Sequence, residues 1–182
     1  WFLPVTPGTK HVTLGGAIAN DIPGKNHHRR GSFGCHLIAF DLLRSDGVIR
    51  HCSSGENVDL FRATIGGFGL TGLILSATLQ LMKVSSGAVV ETVIPFRSLD
   101  ENFDLSETAD QSNEYAVAWL YQLATAGRAM LLTANHAETG AFQPHPSKPR
   151  IRVPFRPPLN CLNTLSLTAF NALYFHGKGR NK

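Results

Sequence analysis

The chain has 182 residues, 43% of them apolar and 16% charged, with a formal net charge of +4. That balance argues against a disordered chain and suits one domain with a core, or parts of two. The surplus of +4 is too weak to argue for nucleic acid, no apolar run approaches the ~20 residues that span a bilayer, and the odd set Cys35, Cys52 and Cys161, without a CxxC spacing, argues against a disulfide framework.

The chain opens on Trp1, and Trp-Phe-Leu-Pro-Val reads as the middle of a folded segment. Further protein is therefore expected upstream. Val12 to Leu14 reads as a short strand ending at Gly15-Gly16, with Ala17 to Asn20 as a short helix or turn. His36 to Leu43 and Val48 to Cys52 flank Ser45-Asp46-Gly47, and Asp-Gly between apolar runs predicts a hairpin. Asn57 to Thr64 predicts a short helix that buries Leu60, Phe61 and Ala63 and stops at Gly66-Gly67. Leu73 to Met82 alternates in part and predicts a strand, with Ile74, Ser76, Thr78 and Gln80 on one side.

Val89 to Pro95 predicts a further strand and Ser98 to Gln111 a helix. Ser98-x-x-Glu101 is a capping-box pattern, in which serine accepts from an orphan N–H and glutamate returns a bond. Tyr115 to Tyr121 and Ala129 to Asn135 predict two more strands. The order strand, helix, strand, strand indicates an α+β fold. The prolines from Pro144 to Pro158 forbid a regular ladder and predict an extended linker or a loop across a surface. Leu162 to Phe175 reads as a helix with Leu165, Ala169 and Leu173 on one side, and Gly177 to Lys182 as a flexible basic tail or a cut edge.

The densest chemistry lies between Pro7 and Gly34. Paired glycines let backbone approach a flat ring or a phosphate, since no Cβ intervenes. On spacing alone Gly15-Gly16 reads first as a tight turn, and there is no G-x-G-x-x-G to support a Rossmann site. The run Lys25 to Arg30 reads as a solvated basic loop, as a recognition element for phosphate or sugar hydroxyls, or as a basic surface-binding module. Zinc on His27, His28, Cys35 or His36 has no standard ligand spacing behind it, and no metal is expected. Cys35 beside His36 is a weak nucleophile pair, since neighbours in a strand point to opposite faces.

Three segments match a known family in order: VTLGGAIANDIPGKNHHRRGSFG (12–34), DLLRSDGVIRHCS (41–53) and DLFRATIGGFGLTGLI (59–74). Together they closely resemble the flavin domain of FAD-linked oxidases of the vanillyl-alcohol oxidase type, the PCMH-type FAD-binding superfamily. Within it the chain looks most like the decaprenylphosphoryl-β-D-ribose oxidase group and more distantly like the aldonolactone oxidases. The resemblance continues loosely through YAVAWLYQL (115–123) and GRAMLL (127–132).

That resemblance implies FAD, with residues 1–83 as the C-terminal part of an FAD-binding domain. Residues 84–137 would begin an α+β substrate domain, and 138–182 would form a Pro-rich linker and helix. It places Gly8, Thr13, Leu14, Gly15, Gly16, Asn20, Asp21, Ile22, Pro23 and Ile74 against the flavin and Lys25 near substrate. No catalytic residue is assigned. Pro23 stands where the family has histidine, which points to a degenerate, non-catalytic flavoprotein as the alternative. The implied substrate is a small or lipid-linked sugar, with an aldonolactone as the other option. Nucleic acid is not expected, and the implied location is cytoplasmic or membrane-peripheral.

Overall fold

The computed structural model describes residues 1–121, 128–142 and 163–179. The chain divides into two units, Trp1–Val84 and Ser85–Lys182. Each is built on one small antiparallel sheet flanked by helices, so the fold is mixed α+β.

The first unit holds helices α1 (Leu14–Ala19) and α2 (His27–Arg30), a single 3₁₀ turn (Phe33–His36), strands β1 (Leu37–Leu43) and β2 (Ile49–Ser53), helix α3 (Val58–Thr64) and strand β3 (Leu73–Leu79). The predicted hairpin is present: β1 pairs with β2 from Leu43↔Ile49 to Ala39↔Ser53. Its turn works as Asp-Gly turns do. Gly47 takes φ +78, while Asp46 accepts from the Val48 N–H at 2.9 Å and pairs with Arg50 at 2.7 Å. The Arg50 guanidinium, helped by the Val48 N–H, draws the Asp46 carboxyl down to about 2.

β3 pairs with the other edge of β1, giving the order β2-β1-β3. A register shift between Asp41 and Leu42 breaks the expected alternation. Ile74 therefore packs inward with Ala77 and Leu79, instead of sharing a side with Ser76 and Thr78. The core gathers Phe40, Leu42, Cys52 and Phe61 from sheet and α3, and Val5, Ile18 and Phe33 from the segment before it. On α3 the buried positions are Phe61 and Thr64, with Leu60 packed against them, while Ala63 is exposed. Thr64 tolerates burial because its hydroxyl meets Leu60 O at 2.7 Å and Thr71 Oγ1 at 2.8 Å.

Asp41, on the central strand, ties both neighbours together. Its carboxylate accepts from Ser76 Oγ at 2.6 Å and His51 Nδ1 at 2.9 Å. The Ser76 hydroxyl first, and His51 second, hold its pKa below the ordinary 3.8. A lowered carboxylate pKa supports the fold above the unfolded value, and that support is lost as pH falls through the folded value. Amide protection along β1–β3 is therefore expected to hold above the ordinary carboxylate value and to fall as pH drops below it. In Asp41→Asn that acid-dependent part disappears, read by hydrogen exchange on both proteins. An identical pH profile in the two would remove this account of the tie.

The second unit holds β4 (Val89–Phe96), α4 (Leu99–Ser112), β5 (Tyr115–Tyr121), β6 (Arg128–His136) and α5 (Thr164–Gly179). Its strand order is β4-β6-β5, so β6, last in sequence, is central. Ser98 caps α4 by accepting from Glu101 N at 3.1 Å. The returning bond differs from the expected box: Glu101 accepts from the N–H of Arg97, at 2.9 Å, one residue before the cap.

Ala129 and Leu131 pack on one face of the sheet with Phe96 of β4 and Ala109 of α4. Met130, which alternates with them, pairs in register with Trp119, and Trp119 meets Tyr174 and Phe175 of α5 at ring distances of 5.2 and 6.5 Å. The two helices thus cover opposite faces of one sheet. The predicted apolar stripe of α5 is reversed: Leu165 and Leu173 are 82% and 75% exposed, and the aromatic side faces the sheet. The helix also continues through Gly179, where a flexible tail from Gly177 is expected. The linker prolines 144–158 lie outside the described residues.

Candidate functional site

No strand forms over Val12–Leu14, where one was expected; the short helix expected from Ala17 is present and begins earlier, running Leu14–Ala19. Thr13 is the N-cap of α1, and its Oγ1 accepts from Gly16 N at 3.1 Å. A capping threonine outweighs the β-propensity of three residues, since it satisfies an orphan N–H of the first turn. Gly15 and Gly16 therefore lie in a helical turn. A Cβ on Gly15 would meet nothing within 4 Å, whereas one on Gly16 would sit 3.0 Å from Thr13 Oγ1.

α1 ends in a network built by polar residues. Asn20 is its C-cap and donates through Nδ2 to Gly16 O at 2.8 Å. Asp21 takes φ 42, an uncommon conformation for a side chain that its two hydrogen bonds support. Its carboxylate accepts from Gly34 N at 2.7 Å and Ser32 Oγ at 2.8 Å. Gly34 has to be glycine, because a Cβ would press on Ile65 and come 2.9 Å from Asp21 Oδ1. Asp21 thus closes the 21–34 loop on itself, while Pro23, exposed, bridges Ser32.

The N-terminal strand of chain, residues 1–13, folds over α1 and is pinned at three points. Phe2 and Met82 exchange backbone bonds of 2.9 and 3.0 Å. Asn26, fully buried, donates through Nδ2 to Pro4 O at 2.7 Å. Thr13 supplies the cap already described. Under this strap lies a cavity of ≈ 520 Å³, within the roughly 300–1,000 Å³ that holds small ligands and cofactors. Apolar groups dominate its wall, among them Phe2, Val12, Leu14, Ile22 and Phe33, with Thr6, Thr9 and Lys10 adding polar ones.

Of the residues expected at a cofactor, Gly8, Thr13, Leu14 and Ile22 line this cavity. Gly15, Gly16, Asn20, Asp21 and Pro23 do not; they build the helix and loop behind it. Ile74 lies in the core against Leu42's strand. Lys25 is exposed on the turn before α2 and is not part of the lining. Asn26, read in the sequence as part of a polar run, is a buried strut for the strap. Asn26→Ala is expected to cost about 1–3 kcal/mol, because the Pro4 carbonyl loses its buried donor, measured by thermal or urea unfolding. A loss within a few tenths would show that the strap stands without it.

Cys35 and His36 belong to the 3₁₀ turn rather than a strand, and His36 Nε2 meets Arg30 O at 2.9 Å. Cys35 is exposed and Cys52 buried, and both are free thiols. Burial first, then Glu56, pushes the Cys52 thiol above its ordinary pKa. Among the described residues no group of three or more His, Cys, Asp or Glu is placed to hold a metal ion. Among them also, no helix is long and apolar enough to cross a membrane.

No protein-family model matches the chain. Over 163 residues it is 40% identical to an uncharacterised protein in the mprA 5'region of Streptomyces coelicolor, covering 85% of this chain and 44% of that protein. Over 120 residues it is 43% identical to decaprenylphosphoryl-beta-D-ribose oxidase of Mycolicibacterium smegmatis, covering 65% of this chain and 26% of that one. With L-gulonolactone oxidase of Mus musculus it shares 31% identity over 104 residues, covering 57% and 23%. The chain spans less than half the length of these relatives. Its homology is spread over several oxidoreductases and singles out none of them.

Proposed function

We propose that this chain is part of an FAD-dependent oxidoreductase that oxidises a hydroxyl of a sugar or a polyprenyl-phosphate sugar. The observation that carries the reading is the meeting of Gly8, Thr13, Leu14 and Ile22, four positions the family resemblance assigns to flavin, around one mostly apolar cavity. The homology to oxidases of a phosphoryl-ribose and of a lactone supports the same class. In this reading residues 1–83 complete an FAD-binding domain of PCMH type and 84–137 begin the substrate domain.

The residues present fit such a group. A Cβ on Gly8 meets no protein atom within 4 Å, so the chain's own packing does not demand glycine there; the open space suits a flat ring. Bound FAD supplies the hydride acceptor, which no side chain can. Leu14, Ile22 and Phe33 offer an apolar wall that keeps water from the ring, and Thr13 fixes the turn that carries Leu14. Lys25, outside the lining, is assigned to substrate, where its ammonium can hold a hydroxyl or phosphate oxygen.

Protein expressed from the complete gene is expected to carry flavin absorbance that bleaches on anaerobic addition of the sugar substrate. Colourless protein that stays apo with added FAD would sink the reading. An aldonolactone is the competing substrate, distinguished by which compound bleaches the flavin. Pro23 motivates a second reading, a degenerate flavoprotein without turnover. If the wild-type protein is already as active as Pro23→His, that second reading fails.

A further inference from the structure

We propose that Asp21 is a positioning residue for the cofactor: its carboxylate sets the cavity wall by gripping the chain on both sides of Phe33. The proposal rests on the flavin reading for what fills the cavity. Asp21 itself lies behind the lining. Its Oδ2 accepts from Ser32 Oγ at 2.8 Å and its Oδ1 from Gly34 N at 2.7 Å. The next carbonyl along the chain, that of Ile22, accepts from Phe33 N at 3.0 Å. Two successive residues, Asp21 and Ile22, therefore hold three, Ser32, Phe33 and Gly34. Phe33 is buried at the middle of this grip, and Phe33 and Ile22 both line the cavity. With both oxygens engaged, the carboxylate acts on a ligand through these two side chains.

The backbone bends at Asp21 to make the grip. Its φ of 42 lies in the left-handed region, which aspartate and asparagine enter more readily than other side chains. Glycine adopts it with less strain still, but brings no acceptor. The far side of the grip is rigid. A Cβ on Gly34 would come 2.9 Å from Asp21 Oδ1 and press on Ile65, which packs against the core. Gly66 N donates to Ile18 O at 3.0 Å, fastening the loop after α3 to the last turn of α1. Asp21 thus stands between a fixed core and the cavity wall. A wall residue held on one side only samples other positions, and ordering it again on binding lowers affinity.

FAD affinity is titrated by flavin fluorescence in protein expressed from the complete gene. Asp21→Gly keeps the backbone conformation and removes the carboxylate, and is expected to bind FAD roughly tenfold more weakly or worse. Asp21→Asn keeps an acceptor for Gly34 N and a group that bonds the Ser32 hydroxyl, and is expected to restore affinity to within about threefold of wild type. Ser32→Ala removes one of the two bonds without touching the bend, and is expected to show a smaller loss in the same direction. Phe33→Ala is expected to weaken binding as well, and Asp21→Gly to add little on top of it, because the carboxylate acts through the ring it holds. A merely structural role gives additive losses instead. Hydrogen exchange reads the grip without ligand: in Asp21→Gly the Phe33 and Gly34 amides are expected to lose protection while the β1 amides keep theirs. Undiminished FAD affinity in Asp21→Gly and Ser32→Ala, no rescue by Asp21→Asn, additive losses in Asp21→Gly/Phe33→Ala, or wild-type protection at Phe33 and Gly34 in Asp21→Gly each overturns the proposal. Wild-type protein without FAD affinity overturns the flavin reading and the cofactor role of Asp21 with it, whereas unchanged exchange overturns the grip alone, so the two failures are told apart.

Discussion

Phe40→Ala is expected to lower the stability of the first unit by about 3–5 kcal/mol. Phe40 is 1% exposed at the centre of its core. It stacks on Phe61 with ring centroids 5.4 Å apart and 17° between planes. In register it lies between Cys52 of β2 and Ala77 of β3. Truncation therefore leaves a hole bordered by both sheet neighbours and α3, elements that cannot collapse together without breaking the ladder. Domains are stable by only about 5–15 kcal/mol, so the loss takes a large share. Val5, Ala17 and Phe33 belong both to this core and to the cavity wall. The variant is thus expected to weaken ligand binding as well as folding. Ile38→Ala, on the same strand but 48% exposed, is the control and is expected to cost under about 1 kcal/mol. Urea unfolding of both variants checks the pair. A similar small loss in each would mean that Phe40 does not organise the core.

The elements with strong local chemistry were legible in the sequence. Asp46-Gly47 announced its hairpin, and Ser98 announced the start of α4, because one turn residue or one cap decides each. What escaped depends on partners distant in the chain. The strap of residues 1–13 has no period of its own. It is held by Asn26 and Met82, so its cavity could not be read from spacing. Asp21 is matched to flavin by family position, and spacing does not announce that its carboxylate also closes the loop to Ser32 and Gly34. The stripe on α5 was visible as a pattern, but not which side of the helix the sheet takes. There the aromatic pair Tyr174 and Phe175 has more area to bury than the leucines, and it wins the sheet. The Leu73–Leu79 strand was legible and its faces were not, since a bulge at Asp41 and Leu42 shifts them by one residue.

Gly8→Trp separates fold from site. Gly8 lines the cavity, and its Cβ position opens onto space with no protein atom within 4 Å. Its backbone lies outside the left-handed region, so a side chain adds no strain there. The indole can therefore be accommodated only by filling volume the cavity or its mouth now offers. The expected result in protein expressed from the complete gene is an unchanged melting temperature with FAD affinity reduced roughly a hundredfold or more, since a ring wall cannot hold both rings at once. Gly55→Trp is the matched control. Its Cβ also meets nothing within 4 Å, it is exposed on the loop after β2, and it does not line the cavity. FAD affinity is expected to be unchanged in it. Titration by flavin fluorescence, beside a thermal melt, reads both quantities. If Gly8→Trp retains FAD as tightly as Gly55→Trp, the cavity under the strap is not where flavin sits. The glycine pair Gly15 and Gly16, on the helix behind it, would then be the place to look, with Gly15→Trp as the next substitution.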